Sequence, residues 1–346
     1  LNSVELNSSR DKLIILDQSL LPWDELYLEI DNEYRLADAI KSLKVRGAPA
    51  IGIAASLGIA VIMKRRGERS TSEFTKEFDR VADLIISTRP TAVNLINGIS
   101  RLKIVLNKLL ERSDISVKIL EESLLLEAEK IKEEDASSNL SIAESVLTLI
   151  KPGSTILTYC NAGELAVSEL GTALGAVYLA KSRGLDIKVI ACETRPLLQG
   201  ARLTTYELKR GGIDTTLICD NMVSYVMSKG MVDAVITGCD TIALNGDVAN
   251  KIGTSMVSIT ASHYKVPHYV AGPSSTIDKR CKTGKDVVIE QRDPSEITTK
   301  WFSRKVSAEG VDVCNPAFDI TPANLIDAII TEKGIFRYPF NFNKHD

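Results

Sequence analysis

The sequence has no CxxC pair and only three histidines, His263, His268 and His345. Its six cysteines, Cys160, Cys192, Cys219, Cys239, Cys281 and Cys314, therefore suggest neither a disulfide framework nor a zinc site. An excess of one charge is also missing. The 42 basic and 45 acidic residues give a formal net charge of −3 and form no long block, so no electrostatic footprint for DNA or RNA is present. The longest uncharged run, Gly47 to Met63, is shorter than the roughly 20 residues a membrane span needs, and its Gly and Ala content reads as a buried helix. No basic, apolar leader with small residues is seen at the N-terminus, and a cytoplasmic protein is expected. GxGxxG is absent, which removes the usual dinucleotide fingerprint. There is no internal repeat and no low-complexity tract.

What is present is 346 residues, 44% hydrophobic and 25% charged, an ordinary globular composition with length for two domains. The opening segment KLIILDQSLLPWDELYLEID has two β-favouring runs around the turn-prone Leu21-Pro22-Trp23-Asp24 and reads as a small antiparallel sheet. From Asn32 to about Ile150 apolar residues recur at three- and four-residue spacing, which predicts helices. After Lys151-Pro152-Gly153 the period changes. Strand-like STILTYC, DIKVIAC, DTTLIC, VDAVITG and PHYVAG alternate with helical LAVSELGTALGAVYLAKSRG, ARLTTYELKRG, NMVSYVMSKG and TSMVSITASHYK. Such alternation implies a parallel sheet with crossover helices. The expected architecture is α/β: a mostly helical lobe with a small antiparallel sheet over residues 1–135, and a Rossmann-like catalytic domain over residues 136–346.

Polar clusters fall where these strands end. Cys160 closes the first, Glu193-Thr194-Arg195 follows the second, Asp220-Asn221 the third and Gly238-Cys239-Asp240 the fourth. In a parallel sheet that edge is where ligands bind. A cysteine in such a place is ordinarily a small buried hydrophobe, and an aspartate an Asx-turn or helix cap. Asp240, however, is followed by NGDVANKIGTS, where Asn250 and Lys251 precede a helix start suited to phosphate. In the helical lobe, Arg46 stands before Gly47-Ala48-Pro49 and Arg89 before Pro90, each read as an arginine beside a helix N-terminus, again suited to a phosphate dianion.

VRGAPAIGIAASLG, TRPTAVNL, CNAGELA, ETRPLLQGARLTTYEL, CDNM, NGDVANKIGTS and NPAFDITPANLIDAIITEKG together resemble the methylthioribose-1-phosphate isomerase family, the aldose–ketose isomerases of methionine salvage, over nearly the whole chain. The resemblance implies an enzyme in which Cys160 and Asp240 are catalytic and Arg46, Gly47, Ala48, Arg89, Gln199, Asn250 and Lys251 bind substrate. It implies a sugar-phosphate substrate, a homodimer, and no cofactor or metal. The wider superfamily includes ribose-1,5-bisphosphate isomerase and the regulatory subunits of a translation-initiation exchange factor, which generally lack the Cys160 and Asp240 pair; a non-catalytic sensing subunit is thus the rival of another class. Tyr159, Cys192 and Thr241 depart from the family's usual His, Asp and Arg, and 5-deoxyribose 1-phosphate is the related substrate such departures keep open. A base at Cys160 calls for a lowered thiol pKa, which a helix N-terminus after Asn161 would favour, and an acid at Asp240 for a raised one.

Overall fold

A computed structural model describes residues 2–67, 70–90 and 92–342, so Thr91 of the Arg89 motif, His345 and the end of the second domain at 343–346 lie outside it. The chain parts into two compact units: Leu1–Ser138 with Glu164–Gly171, and Asn139–Gly163 with Thr172–Asp346.

The first unit opens with an antiparallel sheet of β1 (Val4–Leu6), β2 (Leu13–Leu16) and β3 (Tyr27–Ile30), in that order. The turn between β2 and β3 falls where the sequence places it; β1 is a three-residue strand too short to show a period. Helices α1 (Glu33–Lys41), α2 (Ala48–Arg66), α3 (Thr71–Thr88), α4 (Val93–Leu110) and α5 (Val117–Leu147) follow. Capping fixes two of their starts: the Asn32 side chain accepts the N–H groups of Tyr34 and Arg35, and that of Ser70 accepts Glu73 N–H. Helix α2 has no polar face, because every residue from Ala50 to Met63 is buried. It is long and apolar enough to cross a membrane, yet most of it is enclosed in this unit, against Leu13 and Ile15 of β2, Leu36 and Ile40 of α1, and Phe74 and Phe78 of α3. The charged stretch at 130–139 continues as helix, and the division of the chain falls inside α5.

The second unit is built on strands β4 (Thr155–Thr158), β5 (Lys188–Cys192), β6 (Asp214–Ile218), β7 (Ala234–Thr237), β8 (Thr241–Ile242), β9 (Val248–Lys251), β10 (His268–Ala271), β11 (Phe318–Thr321), β12 (Ala328–Thr331) and β13 (Gly334–Arg337). Its helices are α6 (Gly175–Ser182), α7 (Thr205–Arg210), α8 (Val223–Ser228), α9 (Thr254–Tyr264) and α10 (Ser295–Thr298). The main sheet runs β13-β12-β10-β7-β4-β5-β6, parallel except for the β12-β13 pair, and β11-β9-β8 form a smaller antiparallel sheet. Ile156, Val189 and Ile236 pack with α6 and α7, whereas their neighbours Leu157, Ile190 and Val235 pack with α8 and α9. Both faces of the sheet are covered, which is why its strands read as continuous apolar runs.

The helix expected over Leu165–Gly184 is a correction. Only α6 is α-helical there; Glu164–Ala166 is one 3₁₀ turn, and Leu170 and Gly171 have φ of 65° and 94°. The segment Glu164–Gly171 leaves the second unit and packs with the first. Gln18 Nε2 donates to the Leu165 carbonyl at 2.7 Å, and the Asp135 carboxylate accepts the Ser168 N–H at 2.8 Å and its hydroxyl at 2.5 Å. Residues buried on all sides carry no helical stripe that would distinguish them from a true helix.

Candidate active site

Strands β7, β4, β5 and β6 are parallel neighbours, so the turns after them share one edge of the sheet. After β4, Cys160 is half-buried and adopts left-handed backbone, φ 65°. Its N–H donates to Thr194 Oγ1 at 2.9 Å, and its carbonyl accepts from Thr204 Oγ1 at 2.6 Å. Beside it, Asn161 Nδ2 donates to the buried Glu207 carboxylate at 2.8 Å. The helix expected directly after Asn161 is absent: a single 3₁₀ turn follows, and the next α-helix begins at Gly175. The thiol is therefore not set on an α-helix N-terminus formed by its own downstream segment.

After β5 the chain turns through Thr194, whose φ is 66°. The Asp220 carboxylate, at the end of β6, accepts the Thr194 N–H at 2.8 Å and the Arg195 N–H at 2.7 Å. It also takes a hydrogen bond from Tyr159, whose phenol is pushed far up by burial and by the adjacent Asp220 charge. Tyr159 is 2% exposed and Cys192 0%. These two departures from the family pattern thus lie beneath the turns. Tyr159 also explains Gly253, which has φ 103° and no room for a Cβ against the phenol oxygen. The same turn leads to Gln199, which is buried; its side-chain oxygen takes no hydrogen bond among the described residues. A buried acceptor without a protein donor is open to a water or to a ligand's hydroxyl or N–H. Behind this loop, Trp301 Nε1 donates to the Pro196 carbonyl at 2.8 Å, and the Arg202 guanidinium lies 4.7 Å from the Trp301 ring centre.

After β7 come Gly238, Cys239 and Asp240. Gly238 packs so closely on the Cys160 turn that a Cβ would lie 2.9 Å from Ala162 Cβ. Cys239 is pushed up to about 12, by burial first and by Asp240 second. Asp240 is half-buried; its N–H donates to the Ala249 carbonyl at 2.9 Å, which ties it to the β8-β9 hairpin that ends in Asn250 and Lys251. Asn250 is buried and donates to Thr254 Oγ1 at 3.1 Å. The Lys251 ammonium donates to the Ala317 carbonyl at 3.1 Å and stands 4.9 Å from the Phe318 ring centre. The helix start that follows does not present a free phosphate site as expected: the Asp319 carboxylate already accepts Gly253 N–H at 2.7 Å and Ser255 N–H at 3.1 Å. Cys160, Asp240, Gln199, Asn250 and Lys251 all belong to the second unit.

Arg46, Gly47, Ala48 and Arg89 belong to the first. Gly47 is the N-cap of α2, with φ 95° and no side-chain cap; a Cβ there would lie 2.6 Å from Ala166 Cα. Arg46 precedes it and Ala48 is the first helical residue, as the sequence suggests. Arg89 is a correction. It is the C-cap of α3, bonded through its N–H to the Ile86 carbonyl, and α4 begins only at Val93. Pro90 ends one helix rather than starting the next. Among the described residues no group of three or more His, Cys, Asp or Glu side chains is arranged for a metal ion. Sequence reasoning places Thr194 and Asp220 at this edge but gives them no role, and it misses Thr204, Glu207 and Asp319 there altogether. A Thr and a Glu inside a helical run, and an Asp in FDIT, carry no period or charge cluster that would mark them.

Residues 44–338 match the initiation factor 2 subunit family. The chain is 55% identical to a methylthioribose-1-phosphate isomerase of Parabacteroides distasonis, covering 96% of this chain and 98% of the relative. It is 50% identical to a 5-deoxyribose 1-phosphate isomerase of Petrotoga mobilis, covering 97% and 96%. Among solved structures, the 5-methylthioribose 1-phosphate isomerase of Pyrococcus horikoshii OT3 superposes with a TM-score of 0.91 at 38% identity, covering 99% of this chain and 94% of that one. A structure described as translation initiation factor eIF-2B, subunit delta, from A. fulgidus superposes with a TM-score of 0.88 at 47% identity, covering 98% and 96%. The chain belongs to the initiation factor 2 subunit family, and within it to the sugar-phosphate isomerases.

Proposed function

We propose that the protein converts 5-methylthioribose 1-phosphate to 5-methylthioribulose 1-phosphate, with Cys160 and Asp240 as the catalytic pair. The observation that carries this reading is the placement of a half-buried thiol and a half-buried carboxylate after neighbouring parallel strands, on turns packed together at Gly238 and Ala162. The substrate's anomeric carbon carries phosphate, so the ring must open with the phosphate attached. Asp240, protonated, gives its proton to the ring oxygen as the C1–O4 bond breaks, leaving an oxocarbenium-like C1. Cys160 as thiolate takes the C2 proton, and the C–H electrons form the C1–C2 double bond of an enol phosphate. The C2 hydroxyl then returns a proton to Asp240 and the Cys160 thiol returns one to C1, which yields the 2-ketone and restores both groups. Gln199 offers its unpaired oxygen to a sugar hydroxyl. Arg46, Gly47, Ala48, Arg89, Asn250 and Lys251 serve substrate and phosphate binding in this reading.

The Petrotoga mobilis relative favours a second substrate, 5-deoxyribose 1-phosphate. Tyr159 and Cys192 are buried, while Thr241, the third departure, is half-buried beside Asp240, where a difference in substrate would be felt. Methionine salvage is the corresponding pathway, and the reading carries a cytoplasmic homodimer, which sedimentation at micromolar concentration checks. The function is tested by comparing kcat/KM for 5-methylthioribose 1-phosphate, 5-deoxyribose 1-phosphate and ribose 1,5-bisphosphate, with the first expected highest. Cys160→Ser and Asp240→Asn should each lower kcat by about two orders of magnitude or more without loss of fold. Near-normal turnover in either variant would refute the pair.

A further inference from the structure

Left-handed backbone is uncommon for residues with a side chain, and for a β-branched residue it is an outlier that its surroundings must impose. Cys160, Thr194 and Leu198 are three of the seven such residues, other than glycine, among the described residues. Two of the three are bonded to each other. The Cys160 N–H donates to Thr194 Oγ1 at 2.9 Å, and the same hydroxyl donates to the Cys192 carbonyl at 3.1 Å, which commits its proton and leaves a lone pair for Cys160. From the other side, Thr204 Oγ1 donates to the Cys160 carbonyl at 2.6 Å. Both threonines are 0% exposed. The peptide groups on either side of a half-buried thiol are therefore held by two buried hydroxyls, one of each polarity. Thr194 is itself held, because Asp220 accepts its N–H at 2.8 Å and that of Arg195 at 2.7 Å. Position is handed from the end of β6 to that of β5 and on to that of β4.

We infer that Thr194 is a positioning residue of the isomerase: its hydroxyl fixes the left-handed Cys160 backbone and so sets where the sulfur meets the substrate. This rests on the reading of Cys160 as the reacting group. Small displacements of a reacting atom cost rate rather than binding, so the effect belongs in kcat.

Thr194→Gly isolates the hydroxyl, because glycine adopts a φ of 66° without strain and keeps the N–H that Asp220 accepts. With 5-methylthioribose 1-phosphate and 5-deoxyribose 1-phosphate as substrates, the Gly variant should lose about tenfold or more in kcat, while KM moves less than about threefold. Thr194→Ser, which keeps the oxygen, should recover kcat to within about threefold of the parent. A Gly variant with parental kcat, alongside an inactive Cys160→Ser, overturns the inference and leaves the catalytic pair standing. Equal losses in the Gly and Ser variants also overturn it, since the hydroxyl would then not be what matters. An active Cys160→Ser instead removes the reading of Cys160 beneath it.

Discussion

Asp319 and Gly253 are joined by a hydrogen bond of 2.7 Å, from the Gly253 N–H to the Asp319 carboxylate, and a second bond from Ser255 N–H completes the closure of the α9 N-terminus. The carboxyl is held above the usual range by burial, against the opposing pull of those N–H donors. Asp319→Ala should therefore lower stability to urea by about 1 to 2 kcal/mol, as loss of a helix cap does. Asp319→Asn should cost less, because the buried charge is itself a burden on the fold. An Asn variant as damaged as the Ala variant would show that the charge, and not the cap, is what counts.

The proposed function assigns Lys251 to the substrate phosphate. Its ammonium is aimed by the Ala317 carbonyl and the Phe318 ring at the start of β11. In a Cys160→Ser background, Lys251→Ala should weaken calorimetric binding of the phosphorylated sugar by about tenfold or more, through loss of a charge-assisted contact. The dephosphorylated sugar should lose much less. Equal loss for both ligands would remove Lys251 from the phosphate site.

His268 gives the fold a dependence on pH. Its ring is enclosed between Thr237 Oγ1 at 2.9 Å and Ser258 Oγ at 3.0 Å, and burial holds its pKa down to about 4, below the ordinary 6.5. Since the folded value is the lower one, the neutral ring's contribution is complete above about pH 6.5 and is lost as pH falls toward about 4, reaching about 3 kcal/mol. Urea midpoints measured across that window should fall with pH in the parent. His268→Gln, neutral throughout and able to bridge the same hydroxyls, should show a flatter slope, and an unchanged slope would assign it to other groups.

The hydrogen that moves from C2 to C1 reports on the mechanism. Proton transfer through the Cys160 thiol should leave deuterium at C1 of product formed in deuterated water, and a direct hydride shift should leave none. Partial incorporation is expected, because a closed site slows exchange of the thiol proton relative to its return. Mass spectrometry after many turnovers decides it: no C1 deuterium would make Cys160 a wall of the site rather than its base.

The strand and helix alternation after Pro152 was legible because both faces of the main sheet are buried, so each strand is an unbroken apolar run between polar turns. Cys160 and Asp240 could be placed at the sheet edge for the same reason, but Cys192, Cys219 and Cys239 end such runs too, and only the family resemblance singled the pair out. The β12-β13 hairpin went unread because β12 lies inside a stretch that stood out only as a family motif, and β13 runs on past that stretch's last residue, Gly334. The roles of Thr194, Thr204 and Asp319 were illegible because each depends on backbone groups brought close by the fold, from 34, 44 and 66 residues away. Arg89 was misplaced because a proline one residue on ends a helix as readily as it precedes one.

The segment Glu164–Gly171 has a consequence for how the protein is made. The first unit is complete only when residue 171 is available, 33 positions beyond Ser138 (171 − 138), and much of the first strand-and-turn of the second unit must be synthesised in between. At about 5 to 20 residues per second, a ribosome holds the amino-terminal half waiting for its last piece for roughly 2 to 7 seconds. During that interval Gln18 and Asp135 lack the backbone and hydroxyl groups they finally bind. A gene cut after the codon for Ser138 would thus deliver a protein permanently in that waiting state.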